Sequence, residues 1–273
     1  MSVILRVYCN DFGGMTLLDL KSGCASPWEA LRLQDISLAV DAGEILAIAG
    51  PNGAGKTSLL NLLGGSIALS SGRLSFLGRP LAELPLTEKA RAIAMLPQRS
   101  TLSFPFYVRE VVKLGRVPHA SGSRADEHIV DATLSALGVE MLADRRYTEL
   151  SGGEQQRVQL ARVLAQVWRA QDSPGRVLLL DEPTAALDYV HLGLLRSLLR
   201  QLASQGCAIV LVVHDLNFAA DLANKVLLLK AGAVSALGSA SAVFNADALE
   251  NVFGVRPIIS THPSSGKPLV IQQ

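Results

Sequence analysis

The stretch Gly50-Pro51-Asn52-Gly53-Ala54-Gly55-Lys56-Thr57, with Ser58 behind it, directly follows the apolar run Ile45-Leu-Ala-Ile-Ala49. A buried strand that ends in G-x-x-x-x-G-K-[ST] and opens a helix is the plan of a phosphate-binding loop, which commits the chain to a strand–loop–helix unit. The glycines let successive backbone N–H groups turn inward around an anion. Lys56 reaches the β- and γ-phosphates, and the Thr57 hydroxyl can ligate Mg²⁺. The helix starting near Lys56 adds its positive N-terminal end. A chance glycine-rich turn is the competing reading, and the strand in front argues against it. Kinases, GTPases and motors share the loop, so it leaves open what the nucleotide is for.

Strand and helix signals alternate along the chain, which predicts an α/β fold with a mostly parallel sheet. Strand candidates include 45–49, 73–77, 93–96, 177–180, 208–213 and 226–229, several of them apolar throughout, as buried parallel strands are. Between about 99 and 170 the strand signal gives way to helical patterns. The segment Ala125 to Leu137 is amphipathic. The next, Glu154 to Trp168, lines up Val158, Ala161, Leu164 and Ala165, with Arg157 and Arg162 outside that face. These patterns predict a helical subdomain inserted into an α/β core. A further helix starts at Asp188, a good N-cap, keeps Leu195, Leu198, Leu199 and Leu202 on one side, and ends at Gly206. Residues after about 240 read as a short appended tail with Pro257, Pro263 and Pro268.

Composition narrows the partners. The chain has 273 residues, with 25 basic against 24 acidic side chains and a net charge of +1. A nucleic-acid binder would show a basic excess or stripe, and neither is present. Hydrophobic content of 49% is high, yet apolar stretches such as Cys207-Ala-Ile-Val-Leu-Val-Val213 are of strand length. None approaches the ~20 residues of a membrane span, so the expectation is a soluble protein, docked on something apolar. Cys9, Cys24 and Cys207 have no metal-type spacing and are too few for a disulfide framework, which fits a reducing cytosol. Cys207 opens an apolar strand and reads as a core residue. The first residues, Met1 to Tyr8, are apolar but lead into Cys9-Asn-Asp-Phe-Gly-Gly14 without a small-residue cleavage site. No signal peptide is read there, and Met15 is the alternative start, with 1–14 a non-native or disordered lead.

Two further motifs carry chemistry. Val177-Leu-Leu-Leu-Asp181-Glu182-Pro183 places two carboxylates after a buried strand. In a phosphate-loop protein an acid at that point can hold the Mg²⁺ already bound through Thr57, which assigns Asp181 to the metal. Glu182 is then free to orient or deprotonate the attacking water. Alone, the pair could be an ordinary turn. Leu150-Ser151-Gly152-Gly153-Glu154-Gln155 reads first as a capping box, Ser151 with Glu154, before a helix. A helix N-terminus with two glycines and a hydroxyl is also an anion site. A chain with one ATP has no use for two phosphate sites, which points to an ATP held by another copy.

The loop at 50–57, Gln98 after strand 93–96, Leu150–Gln155, Leu-Leu-Leu-Asp-Glu-Pro, Ala186-Leu187-Asp188 and Val-Val-His214-Asp stand in one order. Together they resemble an ATP-binding cassette subunit over roughly residues 30 to 245. The resemblance implies a P-loop NTPase (RecA-like) core at about 30–98 and 170–240. It also implies an antiparallel β part, a helical subdomain at about 99–169 and a short extension at about 241–273, all in one nucleotide-binding domain, 15–273. It further implies that Gln98 sits near Mg²⁺ and the water while its loop touches the membrane partner, that Asp188 lies across the dimer seam, and that His214 contacts the γ-phosphate and holds Glu182 in register. The family stacks adenine on an aromatic residue ahead of the loop strand; the expected tyrosine is absent here, and Trp28 is the nearest substitute.

A single cassette resembles the ATPase of an importer assembled from separate chains: a homodimer on two permease subunits at the cytoplasmic face of the bacterial inner membrane, served indirectly by a periplasmic binding protein. Phe104-Pro-Phe-Tyr-Val-Arg-Glu-Val-Val112 and Leu114-Gly-Arg-Val-Pro-His119 resemble the subgroup that serves haem, ferric siderophores and cobalamin. The run Gly152 to Gln166 and the ending Thr261-His-Pro are similar to haem-importer ATPases. Ferric-siderophore or cobalamin supply is the alternative. A non-transport ATPase of repair or translation type is the different-class rival, but the ~90 residues between loop and signature hold no heptads. His119 and His262 stand beside prolines and read as surface residues, so no direct haem binding is expected.

Overall fold

Alternate residues of a strand point to opposite faces of its sheet, so a strand that is apolar at every position must be covered on both sides. In the computed structural model, which describes residues 14–26, 33–98 and 102–271, this holds for the strands that read as continuous apolar runs. They are β3 (Ile45–Ala49), β7 (Arg176–Asp181), β8 (Cys207–Val212) and β9 (Lys225–Lys230), joined by β6 (Ile93–Leu96) and β10 (Ala233–Gly238) in a sheet of order β10-β9-β3-β8-β7-β6. All pairings are parallel except that of β10 with β9. The α/β fold class expected from the sequence is thus the observed one.

The alternation sorts the core in two. Ala47, Leu178, Leu180, Ile209 and Leu211 face one cluster, which they share with the helices α3 (Val108–Lys113), α4 (Ser123–Ala136), α5 (Gly152–Val167), α6 (Tyr189–Ser204) and α7 (Leu216–Leu222). Their neighbours Leu46, Ile48, Val177, Leu179 and Val210 face a second cluster, which α1 (Lys56–Leu63), α2 (Leu86–Ala92) and an antiparallel sheet of order β2-β1-β4-β5 share. That sheet is built from β1 (Thr16–Ala25), β2 (Leu33–Asp41), β4 (Ser71–Phe76) and β5 (Arg79–Pro80). Trp28 and Cys9 lie outside the described residues.

Helices α3, α4 and α5 fill the interval between β6 and β7, where the only strand-like contact among the described residues is a bridge between Tyr107 and Arg146. Residues after 240 are not a loose tail. Helices α8 (Ala240–Val243) and α9 (Ala246–Phe253) and the hairpin of β11 (Ile258–Thr261) with β12 (Pro268–Ile271) send Phe244, Leu249, Val252 and Val270 into the larger cluster. The prolines masked that packing in the sequence. His119 also departs from expectation: its side chain is 3% exposed and its Nε2 lies 2.8 Å from the Gln166 carbonyl. A partner 47 residues away supplies the polar contact that lets the ring be buried. His262 is exposed.

Candidate nucleotide site

Four adjacent strands, β3, β8, β7 and β6, end on the same edge of the sheet, and each delivers one part of the site. From β3 the chain enters the loop, which turns through Gly53 (φ 77°) and Gly55 (φ 103°) into α1. Gly50 is required by close approach: a Cβ there would stand 2.2 Å from the Leu229 carbonyl oxygen of β9. Ala54 is buried, while Pro51 is half-buried and Asn52, Gly53 and Thr57 are exposed, so the loop is open to a ligand on one side. Lys56 is buried, and its ammonium donates to the Gly50 and Pro51 carbonyls at 2.9 and 3.0 Å. Burial lowers the Lys56 pKa, while Glu182 and Asp181 work against that shift.

β7 ends in Asp181, whose side chain is enclosed and whose two carboxylate oxygens have no hydrogen-bond partner. Burial pushes its carboxyl above the usual aspartate range; the Thr57 hydroxyl and Lys56 pull the other way without prevailing. A buried, unpartnered carboxylate is costly in a folded protein. Its place beside a threonine hydroxyl and a lysine fits a hard divalent cation, which takes oxygen ligands and phosphate oxygens together.

Glu182 follows with φ 51°, a left-handed conformation rarely taken by a side chain with a Cβ. Its N–H donates to the Val212 carbonyl at 3.2 Å, tying β7 to β8 at the turn. Glu182 Oε1 lies 2.6 Å from Nε2 of His214, just beyond β8. Burial would raise the Glu182 carboxyl, but the His214 hydrogen bond and the Gln98 side chain outweigh it, and its pKa falls below the usual glutamate range. Gln98, two residues beyond β6, thus acts on the same carboxylate. A cleft of ≈ 520 Å³, lined by His214, Asp215, Asn217 and Leu269 among others, opens next to this group. Lys56, Thr57, Gln98, Asp181, Glu182 and His214 form one constellation suited to holding a phosphate chain with its metal and to placing a water under a carboxylate base.

The remaining predicted residues are placed apart. Ser151 caps α5 in a full capping box: Ser151 N–H donates to Glu154 Oε2 at 2.8 Å, and Ser151 Oγ accepts from Glu154 N–H at 3.4 Å. Ser151 and Gly152 are exposed. Asp188 caps α6 by accepting the His191 N–H at 2.9 Å. Among the described residues, no hydrogen bond or ion pair joins 151–153 or 188 to 50–58. Sequence reasoning missed His191, whose ring bonds both Asp188 and Arg157; a histidine one turn after an N-cap was the available signal.

The family model described as ABC transporter matches residues 33–185. The hemin import ATP-binding protein HmuV of Pseudomonas entomophila (strain L48) is 48% identical over 239 residues, 88% of this chain and 93% of that protein. The protein of the same name from Gloeobacter violaceus is 46% identical over 88% of each chain. Among solved structures, one described as a metal-chelate type ABC transporter in an inward-facing conformation superposes with a TM-score of 0.77 at 27% identity, covering 94% of this chain and 98% of that one. Sequence order, strand-edge geometry and relatives converge, and the chain belongs to the ABC transporter family, as an ATP-binding subunit that hydrolyses ATP.

Proposed function

We propose that this chain is the ATPase subunit of a bacterial importer that drives haem through a separate membrane permease. The observation that carries the substrate is the 48% identity over nearly the whole chain to a hemin import ATP-binding protein. Among the described residues no helix is long and apolar enough to cross a membrane, in keeping with a pathway supplied by other chains. Two copies sit on two permease subunits at the cytoplasmic face of the inner membrane, and a periplasmic binding protein hands over the cargo without meeting this chain.

Each ATP lies between Gly50–Ser58 of one copy and Ser151, Gly152, Gly153 and Asp188 of the other. Backbone N–H groups of 50–58 and the Lys56 ammonium hold the phosphates. Thr57, Asp181 and Gln98 would hold Mg²⁺, which would supply charge neutralisation for the phosphate chain when bound. Glu182, ionised because its pKa lies low, orients the water and takes its proton, while His214 fixes the Glu182 carboxylate at 2.6 Å and meets the γ-phosphate. Closure of the dimer is transmitted to the permease near Gln98 to Val108. The apolar side chains of Phe104 and Tyr107, exposed in the single chain, suit such a contact.

Purification with its permease, reconstitution into liposomes and ATP-driven uptake of haem, a ferric siderophore and cobalamin tests the reading. Haem uptake is expected. Uptake of the siderophore or cobalamin alone would overturn the cargo and leave the ATPase.

A further inference from the structure

The helical layer and the segment carrying Asp188 are tied together by two side chains that the chemistry above leaves unused. Arg157, on α5 below the Ser151 cap, sends Nη1 to His191 Nε2 at 2.7 Å and to the Gly138 carbonyl at 3.1 Å. On the other edge of the same ring, His191 Nδ1 lies 2.7 Å from Asp188 Oδ1. A guanidinium only donates, so Nε2 carries the lone pair and Nδ1 carries the proton given to Asp188. The ring is therefore bonded at both nitrogens, accepting at Nε2 and donating at Nδ1. A second contact lies about one turn away, where Gly153 faces the Ala186 carbonyl so closely that a Cβ would stand 2.9 Å from it. Ala186 itself has φ 61°. The first turns of α5 and residues 186–191 thus meet at two points.

We infer that His191 is a positioning residue that locks Ser151–Gly153 and Asp188 into one unit, so that both reach the partner copy's ATP in fixed relation. The inference rests on the two-copy site proposed above. The ring is 26% exposed and Asp188 is 64% exposed, so the relay adds little to the stability of the single chain and shows its effect where the unit is used.

Three substitutions separate its halves. In His191→Asn the amide nitrogen stands near the place of Nδ1 and keeps the Asp188 bond. In His191→Gln the amide oxygen stands near the place of Nε2 and keeps the Arg157 bond. His191→Leu loses both. The readouts are kcat and KM for ATP, and ATP-dependent dimerisation in a Glu182→Gln background by analytical ultracentrifugation. For His191→Leu, kcat should fall about fivefold to tenfold with KM changed less than about twofold, as for an interaction used beyond ground-state binding. Asn and Gln should each recover part of the loss, and Arg157→Met should cost less in the His191→Leu background than in the wild type. Unchanged kcat and dimerisation in His191→Leu, or additive losses with Arg157→Met, would overturn the relay alone. If Glu182→Gln with His191 intact stays monomeric in ATP, the two-copy site falls and takes the relay with it.

Discussion

Replacing Asp181 with Asn should stabilise the protein while destroying its chemistry. The Asp181 carboxylate is 1% exposed and neither oxygen has a hydrogen-bond partner. Leaving a buried polar group unsatisfied costs about 1–3 kcal/mol, and more for a charge. Lys56 and Thr57 offset part of that, and a buried amide carries its own smaller penalty, so the net gain for Asn is about 1–2 kcal/mol. For a chain of this size that raises Tm by about 2–8 °C in a metal chelator without nucleotide. Because folding raises this carboxyl's pKa, the wild-type protein loses stability as pH rises through the folded value. The advantage of Asn should therefore be full near neutrality and shrink as the pH falls towards about 4. Saturating MgATP should reverse the order: at 100 times Kd a ligand adds about 2.7 kcal/mol to the protein that binds it, and only the wild type has the carboxylate proposed to hold the metal. Differential scanning calorimetry with and without MgATP measures both arms. An Asn variant less stable than wild type in chelator, or equally stabilised by MgATP, would refute the assignment of Asp181 as an uncompensated charge awaiting a cation.

Glu182→Gln keeps the size of the side chain beside His214 but not its basicity; steady-state hydrolysis should fall about 10²–10⁴-fold with ATP affinity preserved, and near-normal turnover would remove Glu182 as base. Gly115→Ala would set a Cβ 2.1 Å from the Arg162 carbonyl on α5, so a loss of about 2–4 kcal/mol in urea unfolding is expected, and an unchanged midpoint would contradict that packing. Full burial pushes the Cys207 thiol up to about 12, whereas the Ser71 side chain and the Asp35 N–H lower the Cys24 thiol. Brief iodoacetamide treatment at about pH 8 should modify Cys24 and spare Cys207 until the protein is unfolded, as read by peptide mass mapping.

Much of the proposed reacting edge could be read in advance because the loop after β3 and the carboxylates after β7 are contiguous signals on strand ends, whereas His214 after β8 stood out only through the family resemblance. What the sequence hid depends on partners far along the chain. His119 is enclosed because Gln166, on α5, offers it a carbonyl, and no local pattern announces that. Val270 reaches the core through Asn217, whose side chain exchanges two hydrogen bonds with its backbone, so a proline-rich stretch that reads as an appendage becomes part of the wall beside His214. The Arg157–His191 bond joins residues 34 positions apart on two helices with ordinary amphipathic faces, and its atoms meet only after those helices dock.

The row of strand ends behaves as a ruler. β3, β8, β7 and β6 are neighbours in register, Ile48 beside Val212, Val212 beside Asp181, and Leu180 beside Leu96. With strands about 4.8 Å apart, the four groups they carry are spread over about 14 Å. One residue inserted into any of these strands would advance its tip by about 3.3 Å and swap its two buried faces. Length changes can therefore be absorbed only at the opposite edge of the sheet or in the helical layer, so the molecule can diversify its outer contacts freely while the spacing of its reacting edge stays fixed.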